Sequence, residues 1–483
     1  MSSTINDFSD RLSPMLVKEL RQGLRARTFI AVFLSLQIFL GLVLLSAGAS
    51  ATSDRAGSVI SGIIFLFFSL AVLVVQPLRG VGALSTEIKG GTIDMMVLTR
   101  LSAWRIVVGK WVAIIGQSAL LLSTIIPYLI LRYFFGGMNL FGEIMLLGLI
   151  FITSMALTAF TVGLSGSSSV VLRAILPLMG TPVLMWSILM LTFSRGEFDD
   201  LISFCSLEDP DARIVIGCYL AAAVYLGWSM LSLGASLIAP AAENHSTLRR
   251  LIALALILML VALGIFDQVE DSVMALLVLL VATPAIATAI TESAPLVPTS
   301  CVPFIRRGPL GKLAGFILYP GWPAGVLFSL LIFALGIFAM LSGPILHGNN
   351  FEEEVMLVFS LFGGLLFPGV LVVFFRSGES QRVANYLLLL IATGVFALVI
   401  TGVAEAMSNR DFLWLFIWNP FVFIPMSEMG RFGDDELLVA AIIVDLVLCA
   451  ALLGRAIIGM RAQGEVLRQA EEIVDSDPLN LPG

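Results

Sequence analysis

The chain has 483 residues, 58% of them hydrophobic and only 13% charged, with a mean hydropathy of +1.01. Soluble domains carry about 45–50% apolar and about 25% charged residues, so an ordinary soluble enzyme, a disordered chain and a coiled coil are excluded. The net charge of −7 comes from 27 basic and 34 acidic residues, while four cysteines without a CxxC pair and two histidines point to neither a disulfide scaffold nor a metal centre.

In chain order, the first predicted element covers 13–27, SPMLVKELRQGLRAR. Ser13 suits an N-cap and Pro14 the first helical position. Leu16, Leu20 and Leu24 repeat every four residues, and Lys18, Arg21 and Arg25 line another face beside Glu19. This predicts an amphipathic helix on the cytoplasmic membrane surface; the alternative is a generic basic flank of the first span. The apolar run at 28–48 is long enough to cross ~30 Å of hydrocarbon. It starts too late and runs too long for a signal peptide cleaved at Ala49-Ser50-Ala51, so it reads as the first anchor.

Further spans are predicted at 58–78, 108–131, 144–164, 174–193 and 214–238. A second set follows at 251–266, 273–290, 324–342, 355–375, 385–404 and 437–454. The stretch 412–426 is only 15 residues long and contains Asn419-Pro420, so it reads as re-entrant. Twelve crossings put both termini on one side. With the N-terminus inside, inner segments hold 21 Lys/Arg and outer ones 6, which orients the chain. The expected fold is an all-α polytopic membrane protein of about 12 transmembrane helices, both termini cytoplasmic, in the cytoplasmic (inner) cell membrane.

The inner segment 85–110, STEIKGGTIDMMVLTRLSAWRIVVGK, carries the most information. Gly90-Gly91 breaks the chain, Thr92 can cap a short helix over 93–98, and Asp94 falls in its first turn. Ser102 can cap the helix leading into the third span. Met95, Met96 and Leu98 give the short helix an apolar face, which marks a docking surface or packs back on its own bundle.

The series Glu87, Gly91-Thr92-Ile93-Asp94, Leu98, Leu101-Ser102, Ile106, Gly109-Lys110 resembles the signature loop of ABC-2 type transporter permeases. Two departures stand out: Ile88-Lys89 replaces the family's usual basic residue after the glutamate, and Arg100 stands where proline is common. The resemblance extends over roughly residues 10–240 and implies several things together. Residues 81–107 would form a coupling loop, with Glu87, Gly91, Thr92, Asp94 and Leu98 meeting a separate ATP-binding cassette subunit. Residues 13–27 would be the family's elbow helix, with Lys18, Glu19, Arg21 and Arg25. The chain would be a permease, expected to export a lipid, glycan, drug or other amphiphile.

On this reading 1–245 is an ABC-2 type transmembrane domain, 246–454 a second six-span half, and 455–483 a polar cytoplasmic tail with no site of its own. Thr291-Glu292 after the eighth span echoes Thr86-Glu87 after the second, and the next loop carries Arg306, Arg307 and Lys312 without a Gly-Thr element. The halves form either a degenerate 6+6 repeat, and so a pseudo-dimer, or unrelated domains; a homodimer is the other way to complete a pore.

No GxxxxGK[ST] phosphate loop occurs, so the chain is expected to hold no cofactor and no metal and to be no enzyme, with ATP bound in the partner subunit. Membrane lipids are the other expected partners, and nucleic acid is not. Within the spans the polar inventory is Asp445, Gln37 and Gln117. The amides suit interhelical hydrogen bonds. Asp445 is either a substrate or proton site or a protonated carboxyl bonded to a neighbouring helix. A proton-coupled secondary transporter using Asp445 is therefore the alternative function.

Overall fold

The computed structural model describes residues 14–50, 56–91, 102–134, 139–167, 169–193, 197–240, 243–266, 271–347, 351–375, 381–407, 410–428 and 434–476. Every regular element among them is helical, and eleven helices are long and apolar enough to cross a membrane. The chain is a multi-pass helical membrane protein. In lipid this follows from the need to satisfy each backbone N–H and C=O within its own segment. The expected span 174–193 lies within the 24-residue helix Val170–Phe193.

The chain divides into two compact units, 1–166 with 173–238, and 167–172 with 239–483. The first opens with α1 (Pro14–Leu24) and α2 (Arg27–Ser50). The second crossing is built from α3 (Ala56–Ser69), a π-turn (Leu70–Val75) and α4 (Gln76–Gly80), and leads into α5 (Ser85–Lys89). Then come α6 (Ala103–Tyr133), α7 (Leu140–Leu164), α8 (Val170–Phe193), short α9 (Glu197–Cys205) and α10 (Pro210–Ile238). A π-turn displaces the regular backbone ladder, and here the Val72 carbonyl accepts the Ser154 hydroxyl of α7 at 2.8 Å. The repeated small residues of α7 and α10 let those helices approach closely: a Cβ at Gly163 or Gly234 would strike the facing backbone.

The second unit contains α11 (Ser246–Ile265), α12 (Asp271–Ile290), the short α13 (Pro298–Ile305) and α14 (Gly308–Leu318), then α15 (Trp322–His347), α16 (Phe351–Phe374) and α17 (Arg382–Ala406). Two 3₁₀ turns (Arg410–Phe416 and Pro420–Val422) and α18 (Phe423–Glu428) precede α19 (Asp434–Ala462) and α20 (Gly464–Asp475).

No single helix in 410–428 is long enough to cross, and the packing argues that the segment as a whole does not. Met356 of α16 clusters with Leu437 and Ala441 of α19, and Gly363 lies against Asp445. Both numbers rise together, so α16 and α19 run parallel with only α17 crossing between them. The intervening segment therefore returns to the side it left. Asn419 anchors it, donating to the Thr393 carbonyl at 2.9 Å and accepting from the Phe421 N–H at 3.3 Å.

The first unit repeats that arrangement. Thr153 and Tyr219, Ala159 and Gly227, and Gly163 and Gly234 pair in rising order, so α7 and α10 are also parallel, with α8 between and α9 packed on α7.

Candidate functional site

At its α1 end the first unit gathers three elements around one cation. Ser102 begins α6 as its N-cap, the hydroxyl accepting from the Arg105 N–H at 3.4 Å. Two turns further on, Lys110 is buried and its Nζ lies 3.1 Å from Glu19 Oε1 of α1 and 3.2 Å from Glu87 Oε1 of α5. Two carboxylates this close to each other repel unless a cation lies between them, so Lys110 is what lets α1 and α5 meet.

A second polar layer adjoins the first. Arg79 of α4 donates to the Gln117 side-chain oxygen, to Gln76 Oε1 at 3.3 Å and to the Gly23 carbonyl at 3.4 Å, with its guanidinium 5.8 Å from the Phe29 ring. Gly23 and Gly116 allow the close approach of α1 to α6: a Cβ on Gly23 would strike the Gln117 amide, and one on Gly116 would press on Leu20. Glu19, Gly23, Arg79, Glu87, Lys110 and Gln117 line a cavity of about 350 Å³ with Thr86 and Ala113. Lys110 of α6 thus joins α5 and α1 through one ammonium.

The opposite end of the same unit carries another buried cluster. Arg132 Nε donates to Ser61 Oγ at 2.6 Å, Arg132 Nη2 lies 3.4 Å from Glu143 Oε1, and Ser61 Oγ donates to the same oxygen at 3.2 Å. Lys110 and Arg132 are 22 residues apart on α6, about 33 Å of helix at 1.5 Å per residue. That separation is close to the ~30 Å thickness of a bilayer's hydrocarbon core.

Of the residues singled out in the sequence, the structure thus joins Glu19, Glu87 and Gln117 in one cavity. Lys18, Arg21 and Arg25 lie on the exposed side of α1. Gly91 has φ +66°, the left-handed conformation that glycine adopts without strain, and ends the described chain before the loop. Thr92, Asp94 and Leu98 lie outside the described residues. Gln37 is away from the cavity, where its Oε1 accepts the Tyr128 hydroxyl at 2.8 Å and ties α2 to α6.

Asp445 belongs to the second unit. It is buried beside Gly363, and its Oδ2 has no hydrogen-bond partner among the described residues. No group of three or more potential metal ligands occurs among the described residues.

Sequence reasoning assigned no role to Lys110, Arg79 or Gln76, although Gly109-Lys110 was part of the recognised series. A lysine at the third residue of the predicted span 108–131 was the available signal. It also passed over Arg250, at the start of α11. Arg250 Nη2 pairs with Glu292, and its Nη1 donates to the Ile317 and Tyr319 carbonyls at 2.9 and 2.6 Å.

The tail, expected to be a short helix without a site, contains α20, whose Ala470 and Val474 pack on Cys301 and Ile305 of α13. Burial there pushes the Cys301 thiol up to about 11.

No protein-family model, curated protein or solved structure matches the chain.

Proposed function

We propose that the chain is the permease subunit of an ABC-2 type transporter, which moves an amphiphilic cargo outward across the cytoplasmic membrane while a separate ATP-binding subunit hydrolyses ATP. The observation that supports this most is the Glu19–Lys110–Glu87 cluster. It lies where the second crossing ends, next to the loop that resembles the family's coupling loop. A subunit pressing on that loop would move α5, and through Lys110 would move α1 and the third crossing with it. Glu87 and Gly91, with Thr92, Asp94 and Leu98, would face the ATPase; Glu19 would tie α1 to the same movement, and Lys18, Arg21 and Arg25 would meet anionic lipid. The shared parallel arrangement of α7 with α10 and of α16 with α19 supports reading the two units as a degenerate repeat, a pseudo-dimer on one chain.

A second reading, a proton-coupled transporter, draws on Asp445, a buried carboxyl with one oxygen unpartnered. Purification of the tagged chain from its own membranes in gentle detergent, followed by mass spectrometry, separates the two. A near-stoichiometric ATP-binding cassette protein, lost when Gly91, Thr92 and Asp94 are replaced, is the expected result. A crosslinked preparation without such a partner, together with proton-driven transport abolished by Asp445→Asn, would establish the second reading instead.

A further inference from the structure

The amphipathic character of α14 is inverted. Gly311, Gly315 and Leu318, spaced at four and three residues, are its buried face, and glycine is required there. A Cβ at 311 would strike the Phe304 carbonyl, and one at 315 the Tyr319 ring. The opposite face carries Leu310, Leu313 and Phe316, which are 81%, 63% and 40% exposed. At 11 residues the helix is about 16 Å long, too short to cross a bilayer.

Its depth is set by its attachment. Thr247 Oγ1 donates to the Leu318 carbonyl at 3.0 Å, and Arg250 holds the Ile317 and Tyr319 carbonyls. Both donors belong to the first turns of α11, a spanning helix that begins at Ser246. The C-terminal end of α14 is therefore fixed at the level where α11 enters the hydrocarbon. Arg306 and Arg307 are exposed just before the helix, and Lys312 on it pairs with Glu471 at 2.6 Å. The chain's own tail helix does not cover the apolar face, since α20 buries its Ala470 and Val474 against α13.

We propose that α14 lies in the bilayer interface as a lipid-binding helix, with Leu310, Leu313 and Phe316 among the acyl chains and Arg306 and Arg307 on the phosphates of anionic phospholipid. A short helix with an outward apolar face, held at the mouth of a spanning bundle and preceded by two arginines, matches the layered chemistry of that boundary. Arginine suits this place because its apolar stem can stay among the chains while the guanidinium reaches a phosphate. The inference concerns the second unit and does not depend on an ATPase partner.

The test places the photo-crosslinking residue benzoylphenylalanine at Leu313 of the full chain, in vesicles of phosphatidylglycerol or of phosphatidylcholine. Leu398, exposed on the spanning helix α17, serves as the lipid-facing control, and Arg468, exposed on α20, as the water-facing control. The expected result is a phospholipid adduct at 313 and at 398 but not at 468. The adduct at 313 alone should fall several-fold in phosphatidylcholine or when Arg306→Gln and Arg307→Gln are combined. A lipid adduct at 398 without one at 313 overturns the proposal. So does a peptide adduct at 313 in native membranes, which would make α14 a protein-docking helix. An adduct at 313 indifferent to lipid charge and to both substitutions would remove the role assigned to the arginines.

Discussion

The two Thr-Glu corners, Thr86-Glu87 and Thr291-Glu292, start from the same dipeptide at the same place, the end of a unit's second crossing, and are finished differently. The Glu87 side chain is 20% exposed and shares Lys110 with Glu19 at the edge of a cavity. The Glu292 side chain is 6% exposed and faces Arg250, whose other donors hold the Ile317, Tyr319 and Gly321 carbonyls. An ammonium shared by two half-buried carboxylates is a contact that can be redistributed as the helices shift. A guanidinium whose planar fork is committed to one carboxylate and three carbonyls cannot be redistributed without stranding buried acceptors. The first corner can rearrange at a smaller cost in stranded polar groups than the second.

The difference is broken most severely at the second corner. Arg250→Met leaves buried Glu292 without its cation and takes the Arg250 donor from the Ile317 and Tyr319 carbonyls, while Gly321 keeps the Gly325 N–H, and the expected cost is about 3–5 kcal/mol. Thermal unfolding in detergent should show a large fall in Tm or no recoverable protein. Arg250→Lys should restore little of this, because one ammonium cannot span four acceptors.

Lys110→Met at the first corner should cost less, about 1–3 kcal/mol, since Glu19 and Glu87 retain access to water. On the proposed permease reading its larger effect should be functional: stimulation of a partner ATPase in a reconstituted complex should fall while the folded chain remains. Lys110→Arg should keep both. Equal Tm losses for Arg250→Met and Lys110→Met would show that the two corners do not differ in rigidity.

A third experiment tests the packing of the second unit's short helices. At pH 8 the Cys301 thiol, held near 11 by burial, is almost wholly neutral and covered, so maleimide should label its peptide slowly. A raised thiol pKa keeps the unreactive form dominant until the pH nears that value. Truncation before Gly464 removes α20, lets the pKa fall toward the ordinary range and should raise the labelling rate at least tenfold.

The smallest effect is expected at Gly23→Ala. The added methyl presses on the end of a flexible glutamine, so about 1 kcal/mol is anticipated, read from Tm. A double-mutant cycle with Gln117→Ala should cancel most of it.

How legible all this was differs from residue to residue. The apolar runs predicted the eleven described helices that are long and apolar enough to cross, most ends within about five residues, though the second and the last run on to Lys89 and Ala462, past the expected 78 and 454; entry into hydrocarbon is decided by local composition. The 15-residue length and Asn419-Pro420 of 412–426 pointed to a non-crossing segment, and the parallel course of α16 and α19 agrees. Glu19, Glu87 and Gln117 could be named from the chain as candidates, one by one. Their meeting could not, since Lys110 lies 91 residues from Glu19 and 23 from Glu87. The burial of Arg132 between Ser61 and Glu143 was equally invisible, because an arginine at the end of an apolar run looks the same whether it snorkels to water or turns inward to an acid.

Composition and periodicity therefore suffice to say that this chain lives in a membrane, roughly where it crosses, and which of its helices are amphipathic. Tertiary packing alone decided which charges neutralise one another, that the Thr-Glu corners differ, that the tail helix covers Cys301 and that α14 shows its apolar side. The physical reason is one of range. Transfer into lipid is a sum over neighbouring residues, whereas a buried ion pair or a covered face depends on partners that only the folded chain brings within a few ångströms.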